Sequence, residues 1–415
     1  MRVRLTGRGR TFLTLGIAVI AVAALLGFPD ITRIGALLAA LPVLAVVSVW
    51  RARPRLEVRR DARPALLRPG DAGRVVLQVR NTGRRTVRQH LAEEQLDHAL
   101  GGPTRFVLPR TVPGETRTAV YEVVGHQRGL YRPGPLAVSL QDPFSLARTR
   151  LTLPASGEIV VLPRIVPLDG SDLRRHGGAG DWPVPNQVAA HGEDDVSTRA
   201  YQHGDELRRI HWPATAHRAQ LMVRQEEQPA RRRAVLVLDS RRLAHHGRES
   251  GSFEWAVSAL ASVAVHLDAR GHSLHLVSTE TVREERAGSA LPLPEILRHL
   301  ALALPEAGDL EPVVAAARPL DAGLVVAVVG DGPPEPARQL ARDRRSGTTG
   351  IMLALDGTGF DGSGPSSVAA VTDAALAAGW RVRPVTGETD VGALWRDITT
   401  VRAARLAASG GAVSR

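Results

Sequence analysis

Three acidic residues stand directly after apolar, strand-like runs in the second half of the chain. Asp239 ends the run AVLVLD and is followed by Ser240, Asp331 follows LVVAVVG, and Asp356 follows IMLAL. The carboxyl ends of parallel strands meet at one edge of a sheet, which is where ligands bind in such folds. Carboxylate and hydroxyl oxygens are ligands that suit Mg²⁺. The pattern therefore indicates a candidate metal site, or the acids of a hydrolase, at this edge.

A second concentration of chemistry lies at residues 197–227, just before the first of these strands. Its charged, aromatic and turn-forming residues are Arg199, Tyr201, Gly204, Asp205, Arg208 and Trp212. We expect Asp205 and Arg208 to form a buried ion pair. We also expect Trp212 and Tyr201 to pack beside Arg199. With these contacts, the stretch is predicted to act as a clamp that holds the neighbouring domains together. The alternatives are an exposed partner-binding site and an acid–base pair in a cleft, and the second of these lacks a nucleophile or metal partner.

The residue types missing from the chain exclude several kinds of site. Without Lys there is no P-loop lysine, kinase-type lysine or pyridoxal Schiff base. Without Cys there is no thiol nucleophile, disulfide or Cys-ligated zinc. The net charge of +11 is spread along the chain rather than gathered with aromatic residues on one element. We therefore expect no nucleic-acid partner.

The N-terminal elements carry two uncharged apolar runs, residues 11–28 and 34–50, with arginines on both outer flanks. Each run makes about 26 Å of helix, close to the lower limit for crossing a bilayer. A cleaved signal peptide is the alternative for the first run, but a second apolar run follows it at once. The pattern predicts a transmembrane helical hairpin over residues 1–52. The positive-inside rule places both its ends, and the domains after it, in the cytoplasm.

The rest of the chain changes its periodicity twice. Residues 53–165 alternate with period two between Pro, Gly and Asn turns, which predicts an antiparallel β-sandwich-like domain. Residues 166–229 form a linker and the charged stretch. From 230 to 406 strand and helix patterns alternate, which predicts an α/β domain with a parallel sheet. We expect a disordered tail at 407–415.

Several of these motifs resemble a bacterial family called domain of unknown function 58. The family signature RxYxxGDxxRxIxW matches residues 199–212, and its two further boxes match 128–135 and 141–146. The resemblance implies a membrane anchor and a von Willebrand factor A-like (Rossmann-like) domain. It covers nearly the whole chain, but it departs at 213–217, where the family has a basic residue followed by Ser-Ala-Arg. A role carried by that basic residue is not expected here.

The resemblance also implies partners rather than a reaction. Members are commonly encoded beside a MoxR-type AAA+ ATPase and transglutaminase-like membrane proteins. A von Willebrand A domain binds Mg²⁺ through DxSxS and distant oxygen ligands, whereas Arg241 and Arg242 follow Asp239 and Ser240 here. We therefore expect a degenerate metal site at Asp239, Ser240 and Asp331, with no bound cofactor, and Asp239 pairing with Arg241 or capping a loop. The expected function is a membrane-anchored accessory protein without catalysis, and the alternative is a metal-dependent enzyme or hydrolase.

Overall fold

A computed structural model describes residues 3–52, 54–169, 198–200, 212–218, 220–224, 233–247, 251–345, 347–362 and 366–400. The chain divides into two compact units. We call Met1–Arg164 with Leu297–Leu302 the β-sheet unit, and Ile165–Ile296 with Ala303–Arg415 the α/β unit.

The β-sheet unit begins with a short strand and a helical hairpin. These are β1 Arg4–Leu5, α1 Gly7–Leu26 and α2 Pro29–Arg51. Thr6 caps α1 by accepting the Gly9 N–H, and Gly27 ends the helix in the left-handed conformation. The helices cross so closely that a Cβ at Gly16 would lie 2.6 Å from the backbone nitrogen of Ala39. Small residues at the crossing are typical of packed membrane helices.

Both hairpin helices are long and apolar enough to cross a membrane. Their outer surface is apolar, with exposed side chains such as Leu15, Leu25, Leu37 and Leu44. More than half of the exposed large apolar side chains in the described ranges lie in these two helices. The structure therefore supports a membrane anchor by length, composition and exposure.

Ten strands of the β-sheet unit follow the hairpin. They are β2 Leu56–Arg63, β3 Leu66–Leu67, β4 Ala72–Asn81, β5 His90–Glu94, β6 Thr104–Leu108, β7 Thr116–Val124, β8 Gly129–Tyr131, β9 Leu136–Gln141, β10 Ala147–Leu153 and β11 Ile159–Val161. An antiparallel sheet has the order β1-β10-β9-β5-β6, and a second has the order β2-β4-β7. Their inner faces share one apolar core, which includes Leu77 from β4, Tyr121 from β7 and Val138 from β9.

The expectation of a sheet-rich region is confirmed, with two corrections. The small third sheet, β3-β11-β8, is mixed rather than antiparallel, because β11 runs parallel to β3. Residues 4–5, which the sequence pattern assigns to the hairpin, form the edge strand β1 of the largest sheet in this unit. A two-residue strand has no periodicity to reveal it in the sequence.

The α/β unit contains fifteen described helices and strands with these bounds. They are β12 Thr198–Ala200, α3 Trp212–Arg218, β13 Met222–Arg224, β14 Arg233–Leu238, α4 Ser252–Asp268, β15 Ser273–Val277, α5 Thr279–Arg283, α6 Leu293–Leu302, α7 Glu311–Ala317, β16 Leu324–Val329, α8 Glu335–Arg342, β17 Thr349–Leu355, α9 Val368–Ala377, β18 Arg381–Val385 and α10 Val391–Thr400. Residues Leu297–Leu302 of α6 are grouped with the other unit.

The predicted parallel sheet is confirmed, with the strand order β15-β14-β16-β17-β18. Its strands are buried nearly throughout, as expected when helices cover both faces. The chain order reverses between β14 and β16, so this is the switch point at which doubly wound sheets bind ligands. Asp239 follows β14 and Asp331 follows β16, so the candidate acids stand at this point.

Candidate functional site

Arg241 occupies the space in front of Asp239 at the end of β14. Its Nε lies 3.0 and 3.2 Å from the two carboxylate oxygens, and its Nη2 donates to Oδ2 at 2.7 Å. The carboxylate also accepts the backbone N–H groups of Arg241 and Gly330, at 3.1 and 3.0 Å. Asp239 is fully buried and Arg241 is 8% exposed. The predicted pairing of Asp239 with Arg241 is therefore confirmed, and the oxygens that a cation would need are already bonded.

The loop after β16 closes over the same guanidinium. Arg241 Nη1 donates to the carbonyl oxygen of Pro333 at 3.4 Å. A Cβ on Gly332 would lie 3.1 Å from that Nη1, and a Cβ on Gly330 would overlap the carbonyl oxygen of Ala244. Glycine at both positions therefore lets two loops approach closely around the arginine. The switch point is filled by a side chain of the protein itself.

Charge reinforces this closure. Burial alone would lower the pKa of Arg241, but its hydrogen bonds to Asp239 and the nearby charges of Asp239, Glu311 and Asp309 raise the pKa overall. The guanidinium therefore keeps its positive charge at any physiological pH. A dication placed beside Asp239 would face this charge at close range.

Behind the pair, His245 and Ser252 form a buried hydrogen-bond chain. His245 Nε2 lies 2.8 Å from the carbonyl oxygen of Asp239, so it carries the proton and donates. Ser252 Oγ then donates to Nδ1 at 3.1 Å and accepts the His246 N–H at 2.9 Å. Burial lowers the pKa of His245, which keeps the ring neutral. Ser252 is 1% exposed, so this serine–histidine contact holds the loop and offers no nucleophile to a substrate.

Asp331 joins the next two loops of the same sheet edge. Its carboxylate accepts the backbone N–H groups of Gly357 and Ser367, at 2.9 and 2.7 Å, and the Ser367 hydroxyl at 2.8 Å. Burial raises the pKa of Asp331, but these hydrogen bonds outweigh it and lower the pKa overall. Asp331 is thus ionised, and its hydrogen bonds fix the start of α9, so its carboxylate is not available to bind a metal ion.

The remaining acid and Ser240 are also engaged locally. Asp356 caps the turn Gly357–Phe360 by accepting the Thr358 N–H and hydroxyl, at 3.2 and 2.8 Å. Ser240 is buried, and its carbonyl accepts the Glu306 N–H at 2.8 Å. Within the described ranges no three His, Asp or Glu residues are grouped to hold a metal ion. The structure brings Asp239 and Asp331 to adjacent strands but gives each its own partners.

The charged stretch is described only in part. Arg199 lies in β12, opposite Val223 of β13, whereas Tyr201, Gly204, Asp205 and Arg208 lie outside the described residues, so the Asp205–Arg208 pair stays a prediction. Trp212 begins α3 and its side chain is 65% exposed. The clamp hypothesis requires a buried Trp212 ring, and the exposure of the ring does not meet this requirement. A hydrogen bond connects α3 to β13, in which the Met222 N–H donates to Thr215 Oγ1.

Sequence reasoning missed a buried ionic cluster in the β-sheet unit. Arg60 of β2 and Glu94 of β5 pair at 2.6 Å, with side chains 1% and 0% exposed. The Tyr121 hydroxyl reaches Glu94 at 3.5 Å, and Arg60 also donates to Ser156 and Pro154. Burial, and then the charge of Glu94, raise the pKa of Tyr121. The available signal was the alternation of β2, which places Arg60 on the same face as Leu56 and Val58.

Residues 142–146 of the box at 141–146 have a structural role that the motif did not reveal. Asp142 is buried, and its carboxylate accepts the N–H groups of Phe144 and Ala147, at 2.9 and 2.6 Å. The carbonyl oxygens of Ser145 and Leu146 accept the Thr6 hydroxyl, at 2.7 and 3.2 Å. The box is therefore a shaped turn held against the start of α1.

Comparison with known families gives one match. A family model described as "Protein of unknown function DUF58" matches residues 197–331. The matching family is DUF58. The matched segment contains the charged stretch, β14 to β16, and both Asp239 and Asp331. The predicted resemblance is confirmed for this third of the chain. No match exists among the curated proteins.

Solved structures resemble parts of the chain only weakly. The CARDB domain of the PF1109 protein from Pyrococcus furiosus is 15% identical, with a TM-score of 0.18, over 24% of this chain and 93% of that domain. The putative ApaA protein from Bordetella pertussis is 13% identical, with a TM-score of 0.20, over 26% and 94%. A β-glucosidase from Erythrobacter marinus is 24% identical, with a TM-score of 0.14, over 24% and 16%. Likeness this weak carries no argument about fold or function.

Proposed function

We propose that this protein is a membrane-anchored interaction module without catalytic activity of its own. In this proposal the α/β unit is von Willebrand factor A-like, faces the cytoplasm and docks a MoxR-type AAA+ ATPase during assembly of envelope protein complexes. A transglutaminase-like membrane protein is a further candidate partner. The proposal needs neither a metal nor another cofactor.

The observation that carries the proposal is the engagement of the strand-end acids. Asp239 is bonded to Arg241, Asp331 to Ser367, and Asp356 to Thr358. A general base or metal ligand needs a lone pair directed at substrate or cation. Each of these carboxylates instead holds a loop, which builds a rigid face at the edge of the sheet. The same geometry gives no support to the alternative of a hydrolase or metal-dependent enzyme.

Exposed apolar side chains favour a protein partner for the α/β unit. Trp212 is 65% exposed on α3, and Leu243 is 88% exposed in the turn that directly follows Arg241. Tryptophan is among the residues most enriched at interface hot spots. The exposure of Trp212 moves the charged stretch from the clamp hypothesis towards its partner-binding alternative.

A capture experiment tests this function. The intact protein in detergent is immobilised, and a purified MoxR-type ATPase from the same cell is passed over it with and without ATP. We expect nucleotide-dependent binding that Trp212→Ala weakens at least about thirtyfold, the loss that a hot-spot residue of about 2 kcal/mol gives. Leu376→Ala, which trims an exposed leucine on α9, is the matched control. Equal binding by wild type and Trp212→Ala, or no binding by either, counts against the proposal.

The anchor and its orientation need a separate test. Both ends of the hairpin carry arginines, among them Arg8, Arg10 and Arg51, so both are expected in the cytoplasm. Alkaline phosphatase, which is active only outside the cytoplasm, is fused after Arg55. We expect no phosphatase activity at that position and strong activity when the fusion follows Asp30 at the hairpin tip. The reverse pattern would place the β-sheet unit outside the cytoplasm.

A further inference from the structure

The turn at residues 142–146, which we call the collar turn, lies level with the ends of the two hairpin helices. Leu146 packs with Ala45 and Val49 in the last two turns of α2. At the start of α1, a Cβ on Gly9 would overlap the carbonyl oxygen of Leu146. If the helices cross a bilayer, the collar turn therefore sits at its surface. The inference below rests on the proposed anchor.

The collar turn holds its aromatic side chain outward. Phe144 is 68% exposed, although the backbone around it is fixed by the two hydrogen bonds to the Asp142 carboxylate. Ser145 adopts a left-handed φ of 57°, which a residue without glycine's freedom adopts only when the surroundings hold it there. Trp50, in the last turn of α2, is also exposed, at 56%. Tryptophan is enriched at the membrane–water interface, and phenylalanine is typical of the apolar side of segments that lie in that interface.

Two arginines face each other on the strands next to the collar turn. Arg4 of β1 and Arg148 of β10 are directly paired across the antiparallel strands, and both are exposed. Like charges in that position repel each other. In the described part of the chain neither residue forms an ion pair, whereas Arg150, two residues further along β10, pairs with Glu93 at 3.0 Å. Among the described residues, the Arg4–Arg148 pair therefore has no compensating carboxylate such as the one that Glu93 gives Arg150.

We propose that the collar turn and the Arg4–Arg148 pair form a binding surface for the anionic phospholipids of the bilayer. Phe144 inserts at the boundary between headgroups and acyl chains, and the two guanidinium groups bind lipid phosphate. Because β1 belongs to the large sheet, this contact fixes the tilt of the sheet on the membrane as well as its distance. Anionic lipid supplies the charge that the like-charged pair needs.

The chain contains no cysteine, so single cysteines can be labelled cleanly in the full-length protein. An NBD fluorophore is attached in turn at Phe144→Cys, Val107→Cys and Leu37→Cys. Val107 is exposed on β6, at the opposite edge of the sheet from β1, and Leu37 is exposed in the middle of α2. Each protein is reconstituted in phosphatidylcholine vesicles with or without phosphatidylglycerol, and quenching by a lipid-borne nitroxide is measured.

We expect quenching at 144 that exceeds quenching at 107 and increases when phosphatidylglycerol is present. Arg4→Gln/Arg148→Gln should erase that increase, while the matched Arg105→Gln/Arg150→Gln should keep it. Inorganic phosphate added to neutral vesicles should not reproduce it.

If the probe at 37 is quenched but the probe at 144 is not, the anchor stands and this inference is wrong. If neither is quenched, both are wrong. An increase that persists in Arg4→Gln/Arg148→Gln also overturns the role of the arginine pair.

Discussion

Arg60–Glu94 in the β-sheet unit and Asp239–Arg241 in the α/β unit are both arginine–carboxylate pairs buried from water, yet they connect very different lengths of chain. The first joins β2 to β5, 34 residues apart, through two sheets that share a core. The second joins residues two apart in one loop. The first pair therefore holds layers together, whereas the second fills a place where a ligand could bind.

The difference also lies in how each residue reaches its position. Arg60 is carried inward by the alternation of a regular strand, so its charge has no route to water. Arg241 lies in a loop, 8% exposed, and turns back onto the acid that precedes it. We infer that breaking the Arg60–Glu94 pair costs more folding free energy than breaking the Asp239–Arg241 pair. The Asp239–Arg241 pair matters more for the site, because it excludes a cation from the Asp239 carboxylate.

Breaking the strand pair is expected to have the largest effect. Glu94→Gln leaves the Arg60 charge buried without a counter-charge, which costs about 3–5 kcal/mol of folding free energy. Hydrogen exchange of the intact protein in detergent should show this loss in β2, β4 and β5. Arg60→Met/Glu94→Leu removes both charges and should return most of the stability. A double variant as unstable as the single one would mean that the pair is needed for more than charge balance.

Breaking the loop pair is expected to cost less. Asp239→Asn weakens the charged hydrogen bonds to Arg241, which are worth roughly 1.5–3 kcal/mol. The cost is smaller because Arg241 is less completely buried than Arg60, at 8% against 1% exposed. The loss should appear in exchange of β14 and the loop after β16, and leave β2 unchanged. A loss equal to that of Glu94→Gln would contradict the distinction drawn between the two pairs.

Acid is expected to destabilise the two units to different extents. The difference should be smaller than the effects of Glu94→Gln and Asp239→Asn. Burial, the largest cause in each case, lowers the pKa of His245, His266 and His275 in the α/β unit and of His90 in the β-sheet unit. A lowered folded pKa means that the stability is fully present above the ordinary value of 6.5 and is lost as pH falls through the folded pKa. We therefore expect the α/β unit to lose exchange protection first as the pH falls below 6.5.

A substitution tests whether these histidines are the cause. His245→Gln should reduce the pH dependence of the loop before α4, and His217→Gln, at an exposed position on α3, should not. Equal acid sensitivity of the two units, with no effect of His245→Gln, would separate the pH response from the buried histidines.

Trp212→Ala is expected to have the smallest effect on stability. Because the ring is 65% exposed, its removal should change the free energy of unfolding by no more than about 0.5 kcal/mol. Loss of a buried ring, which the clamp hypothesis requires, would cost about 3–5 kcal/mol. Thermal unfolding of the intact protein distinguishes the two values. A loss in the larger range would return Trp212 to the clamp hypothesis.

The regular elements were predictable because their periodicities are long. The two apolar runs, the alternating strands and the strand–helix repeats each extend over enough residues to show their period. The strand-end acids were also placed correctly, because parallel strands bring their carboxyl ends to one edge. The pairing of Asp239 with Arg241 was one of two alternatives for Asp239, and it was expected because the two residues stand two apart in the sequence.

The missed features depend on contacts between distant residues. The sequence near Arg60 does not indicate that Glu94 is its partner. The sequence near Asp142 does not indicate that its turn packs on α1 and α2. The exposure of Trp212 was missed because a tryptophan in a charged stretch fits a buried clamp and an exposed contact equally well. Periodicity indicates on which face of its own helix or strand a residue lies. It does not indicate which other element packs against that face.

Titration of Mg²⁺ into the intact protein tests the central claim most directly, namely that Arg241 occupies the cation position beside Asp239. Calorimetry on the wild type is predicted to show no saturable heat, and Mg²⁺ should leave its melting temperature unchanged. Arg241→Ser leaves the carboxylate without a cation, so Mg²⁺ is predicted to raise the melting temperature of that variant alone. A saturable Mg²⁺ site in the wild type that Asp239→Ala abolishes would contradict the account.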